Sequence, residues 1–172
     1  MDAAATPGRV SEGVVEMFER IVLAVDAADD AHGALAAALD LAGKSGGEIL
    51  VVHVHDVGLT SRETVDLETH EEAQLLVEAL LEVVRQHGVK ARGELRAARS
   101  VEVAREILQA ARDFSADSIV LGSRGLGGFA GLLMGSVAYR VIQHADCPVI
   151  VVRPGVAPAS AGHETAAVTS VA

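Results

Sequence analysis

Residues 117–136 read DSIVLGSRGLGGFAGLLMGS. The run Asp117 to Gly122 is short, aliphatic and bounded by a turn residue at each end, which predicts a buried strand. Glycines follow at 125, 127, 128, 131 and 135, and from Gly135 and Ser136 a helical pattern extends to His144. Glycine lets the main chain approach a ligand closely. Successive exposed N–H groups form an anion-binding nest, and a helix start carries partial positive charge. Strand, glycine-rich loop and helix start are therefore the parts of a phosphate cradle. The other reading is a plain connector in which Ser136 is only an N-cap.

Working outward, Arg20 to Asp26 (RIVLAVD) and Glu48 to His55 (EILVVHVH) are two further apolar strands. Val89 to Ala97 is a weaker third, and Cys147 to Arg153 (CPVIVVR) a fifth. Helical periods lie between them. One is capped by Asp29 or Asp30 and runs to Lys44, with Leu35, Leu39 and Ala42 inward, and Gly46 and Gly47 end it. After a loop from Gly58, a second runs from Val65 to His87, with Leu75, Leu76, Ala79, Leu80 and Val83 on its core face and Gly88 at its C-cap. A third, capped by Ser100, reaches Phe114, with Val103, Ile107, Leu108 and Ala111 inward. Strand–helix alternation with fully apolar strands predicts an α/β fold, a doubly wound five-stranded parallel sheet of order 3-2-1-4-5 with helices on both faces. Ligands of such sheets bind where the winding reverses. Here that is between strands one and four, whose carboxyl ends are Asp26 and Gly122.

The 172 residues suit one domain, read as 18–153 between tails at 1–17 and 154–172 that are poor in apolar pattern. A net charge of −10 and an aromatic content of 2% argue against nucleic acid or an anionic membrane surface as partner. One cysteine excludes an internal disulfide and suits a reducing compartment. No secretory pattern opens the chain and no apolar run nears the roughly 20 residues of a membrane span, so a cytoplasmic location is expected.

Other signals carry less. Gly125-x-Gly127 begins a dinucleotide fingerprint, but Ala130 stands at its third glycine and the loop follows strand four. Ser45-Gly46-Gly47 lies at the wrong end of the sheet for a pyrophosphate loop, and no G-x4-G-K-[ST] loop is present. His53 and His55 share one strand face without an evident third ligand, so no metal site is expected. Cys147 reads as a small buried side chain, and no catalytic residue is assigned.

The spacing Gly122-x2-Gly125-x9-Gly135-Ser136 resembles the ATP-binding signature of the universal stress protein family. So do VLAVD at 22–26, VVHVHD at 51–56 and GSVAYRVIQHADCPVIVVR at 135–153. The resemblance implies a nucleotide site. In it Ala24 and Val25 line the wall. Asp26 lies near the ribose and phosphates, in some members beside a divalent metal. The Val54 main chain meets the adenine. Gly122, Ser123, Arg124 and Gly125, then Gly127 and Gly128, form the loop, and Gly135, Ser136 and Val137 hold phosphate. It further implies ATP, or AMP or another adenine nucleotide, with Mg2+ accompanying ATP; a regulatory role in stress response with at most slow hydrolysis; and a homodimer. The dimer would form through Val149 to Val152, an apolar run on an edge strand. Arg96 to Ser100 (RAARS) departs from the Gly-Asp-Pro-like turn common in the family. Two other functions stay open: a nucleotide-free dimerisation module of the same fold, and an ATP-dependent activating enzyme. Asp26 as a cap or turn residue and Val54 as plain core also stay open.

Overall fold

The apolar runs pair into one sheet. The structure, a computed structural model, describes residues 10–11, 14–15, 17–26, 31–56, 68–123 and 134–153. In chain order the elements are β1 (Arg20–Val25), α1 (Ala31–Ser45), β2 (Glu48–Asp56), α2 (His70–Gln86), β3 (Lys90–Ala98), α3 (Val103–Phe114), β4 (Ser118–Gly122), α4 (Ser136–His144) and β5 (Val149–Val152). All pairings in the five-stranded sheet are parallel, and its order is β3-β2-β1-β4-β5, as the alternation predicts. Upstream, Val10–Ser11 pairs antiparallel with Val14–Val15.

Successive strand residues point to opposite faces, which gives two cores. Val22, Leu50, Val52, Ile119 and Leu121 pack with α3 and α4. Ile21, Leu23, Ile49, Val51 and Val120 pack with α1 and α2. Gly93 on β3 lets α2 approach the sheet, because a Cβ there would stand 2.6 Å from Val77 Cγ1 and 2.7 Å from Leu81 Cδ1. At the sheet's amino end Asp117 acts as a clamp. Its carboxylate accepts the main-chain N–H groups of Phe18, Glu19 and Arg20 at 3.1, 2.7 and 2.9 Å. Arg20 answers across the same gap: its guanidinium donates to the Phe114 carbonyl and lies 4.3 Å from the centre of the Phe114 ring.

Several sequence expectations are corrected. The second helix begins at His70, not Val65. Thr69 is its N-cap with extended φ −78° and ψ 158°, and a capping box with Glu72 fixes the start. Its buried residues are Ala73, Val77 and Val84, with Leu80 and Val83 packed against the same core as expected, whereas Leu75 is turned outward at 58% exposure and Ala79 is also exposed. Ser100 lies inside a 3-10 turn, Ser100–Glu102, which precedes α3, so it is not the cap. The fifth strand starts at Val149, because Pro148 has no N–H to give a ladder. Asp29 and Asp30, the loop from Gly58 and the tail from Pro154 lie outside the described residues, as does most of 1–17.

Asp117→Ala leaves three main-chain donors without their acceptor, two of them partly buried. We expect unfolding free energy to fall by about 2–3 kcal/mol, read as a lower urea midpoint at unchanged slope.

Candidate functional site

The winding reverses where β1 and β4 lie side by side. Their last paired residues are Ala24 and Leu121, and beyond these the chains continue as Val25 and Asp26 and as Gly122 and Ser123. Asp26 is half-buried at the end of β1. Ser123 is pinned on both sides by its own main chain. Its N–H donates to Val152 on β5 at 2.7 Å, and its carbonyl accepts the N–H of Gly135 at 2.7 Å. That second bond brings the start of α4 against the end of β4.

Gly135 is the N-cap of α4, with φ −72° and ψ 155°, and having no side chain it caps nothing. The first bond into the helix runs from Tyr139 N–H to Gly135 O at 3.0 Å. Ser136 is therefore already helical and exposed, and the cap position expected for it falls on Gly135. The first-turn amides lack the side-chain oxygen that most helix starts supply. Next to them sits an orphan. Ser123 Oγ is buried, the residue being 2% exposed, and has no hydrogen-bond partner among the described residues. A buried hydroxyl left unpaired costs about 1–3 kcal/mol. An uncapped helix start and an unsatisfied hydroxyl are a donor set that fits an anionic, oxygen-rich group.

The structure brings Ala24, Val54 and Val137 into the layer of α3 and α4, with Met134 beside them. Val25 packs into the opposite layer, against α1 and α2. The side chain of Val54 is half-buried and packs against the core of α3 and α4. Arg124, Gly125, Gly127 and Gly128 lie outside the described residues.

One functional-looking pair escaped the sequence. His53 is 3% exposed, its Nδ1 is 2.9 Å from the Val25 carbonyl, and its Nε2 is 2.6 Å from Glu68 Oε2. His55 Nδ1 lies 3.7 Å from the same oxygen, and its ring meets His70 edge-on at 6.3 Å. The readable signal was Thr69-x-x-Glu72, a capping box that sets the helix start and places Glu68 just ahead of it. Among the described residues no group of three His, Cys, Asp or Glu side chains is arranged to hold a metal ion. No described helix is long and apolar enough to cross a membrane. Cys147 is half-buried, and burial, then Asp117 and Asp146, push its thiol up, the reverse of an activated nucleophile.

A family model for the universal stress protein family matches residues 17–153. The chain belongs to the universal stress protein family. A universal stress protein of Thermus aquaticus is 36% identical over 145 residues, covering 80% of this chain and 100% of the relative. Universal stress protein YxiE of Bacillus subtilis is 32% identical over 151 residues, covering 80% and 100%. Among solved structures, the universal stress protein of Archaeoglobus fulgidus in complex with dAMP is 30% identical with a TM-score of 0.60, covering 77% of this chain and 96% of that one. The RAARS departure from the family turn is built as a continuation of β3 to Ala98. Arg96 there pairs with Glu94 and Asp113 at 2.7 and 2.8 Å and with Glu106 at 3.3 Å. The bond from Arg96, a second from Gln109 and the Arg96 charge hold the Asp113 carboxyl below its usual range.

The state of Cys147 predicts slow chemistry. At pH 8 a disulfide reagent should label the folded protein at least about tenfold more slowly than the urea-unfolded chain, because the reactive thiolate is disfavoured in the fold. Equal rates would show an exposed, ordinary thiol.

Proposed function

We propose that this universal stress protein binds an adenine nucleotide, ATP foremost, in a regulatory role. The observation that carries the reading is the unpartnered Ser123 hydroxyl beside the uncapped start of α4, at the point where the winding reverses. A structural relative determined with dAMP supports an adenine nucleotide in particular. In this reading the phosphates lie on the amides of Gly135, Ser136 and Val137 and on the loop of Gly122, Ser123, Arg124, Gly125, Gly127 and Gly128. The base lies against Ala24 and the main chain of Val54. Asp26 faces the ribose and phosphates and is the carboxylate that this end of the sheet offers to a magnesium ion carried by ATP.

Binding rather than catalysis is the role. No described residue stands out as a general base for water, so hydrolysis is at most slow. Occupancy would shift the population of a state that a partner reads. We further propose that residues 18–153 form the working domain between two tails, that the protein acts in the cytoplasm, and that it is a homodimer. For the dimer the support is β5. It is a four-residue apolar strand whose only ladder partner among the described residues is β4.

Three measurements test this. With Mg-ATP at 100 times its dissociation constant, unfolding free energy should rise by about 2.7 kcal/mol, and no shift at millimolar ATP would favour a nucleotide-free module. Gly135→Glu puts a carboxylate among the phosphate donors. Because φ at 135 is one any residue adopts, we expect nucleotide binding to be lost with fold and assembly retained. Val151→Lys should lower the sedimentation coefficient toward that of a monomer while circular dichroism stays unchanged.

A further inference from the structure

The polar group held most tightly beneath the site is His53. Both of its ring nitrogens face acceptors, the Val25 carbonyl at 2.9 Å and Glu68 Oε2 at 2.6 Å. A carbonyl only accepts, so Nδ1 carries a hydrogen, and on the other side Nε2 and the Glu68 carboxyl are joined by a hydrogen bond. The residues at the two ends of this bridge matter. Val25 ends β1, and Asp26 follows it directly. The β1–β4 register stops at Ala24 and Leu121, so at Val25 the strand has lost its partner on that edge and keeps only β2. At the other end, Glu68 precedes Thr69, the N-cap that fixes the start of α2. His53 therefore spans from the head of α2 to the last residue of β1, where the main chain is least held by the ladder.

We propose that the His53–Glu68 pair is a strut that sets the position of Val25 and Asp26, making His53 a positioning residue of the ligand site and Glu68 its anchor. The nucleotide consequence rests on the function proposed above. The strut itself does not. It acts on main chain and touches no ligand, and it lies on the α1–α2 face, whereas Ala24, Val54 and Val137 pack on the other.

The experiment compares full-length wild type, His53→Leu, Glu68→Ala and Glu68→Gln. Glu68 is partly exposed, so its variants keep the test alive if His53→Leu fails to fold. Titration calorimetry with Mg-ATP reads affinity, and amide hydrogen exchange at residues 25 and 26, without nucleotide, reads position. Glu68→Ala should weaken ATP binding about tenfold and speed exchange at 25 and 26 about tenfold, leaving β4 amides unchanged. Glu68→Gln should restore both, because its amide can donate to Nε2 of a neutral ring that still bonds Val25. A folded Glu68→Ala with unchanged exchange at 25 and 26 overturns the strut. Faster exchange with unchanged ATP affinity overturns its role at the site. Wild type that binds no adenine nucleotide, yet shows the exchange response, sinks the function proposed above and leaves the strut standing.

Discussion

Parallel pairing along both edges of β1 is the constraint from which the rest of the molecule follows. A strand so placed is shut off from water on both faces and both edges, so Ile21, Val22 and Leu23 are fully buried. Parallel neighbours cannot be joined by a tight turn, so each connection crosses a face of the sheet. Chain leaving β1 toward β2 covers one face with α1 and α2. Chain returning to β4 covers the other with α3 and α4. The two sets of crossovers diverge above the carboxyl ends of β1 and β4, the point at which doubly wound sheets hold their ligands.

The described groups at that point are mostly main chain. Ser123 is held by bonds from its N–H and to its carbonyl, so its hydroxyl is left over. Gly135 serves as a cap that contributes no oxygen, which leaves the α4 amides to other partners. An aspartate or serine at 135 would satisfy those amides internally. Glycine there trades local helix stability for an open donor set, the kind of local inconsistency that functional sites carry. At the opposite end of the sheet the balance is reversed. There Asp117 satisfies three donors at once and Arg20 bridges to Phe114, so that end is closed.

Where reading the sequence succeeded and failed follows from how local each signal is. The strands were legible because an aliphatic run of five or six residues between turn residues has few other folded states. The order of the sheet was expected from the doubly wound arrangement, and the pairings agree with it. The start of α2 was misplaced because Val65 and Leu67 extend an apolar pattern that Thr69, with its extended backbone, cuts off. Leu75 was assigned to the core because it belongs to the helical period, yet the α2 face that Gly93 admits is the one bearing Val77 and Leu81. Helical periodicity defines a stripe but does not aim it.

By itself, then, the sequence determined the fold class, the family and the reversal between strands one and four, since each rests on patterns of residues near one another in the chain. Tertiary structure alone decided which donors at that reversal stay unpaired, which face of α2 turns inward, and that His53 spans from Val25 to Glu68. The last of these depends on hydrogen bonds between residues 15 and 28 positions apart. Whether a polar atom finds a partner is settled only when distant segments arrive, and no local pattern encodes the meeting.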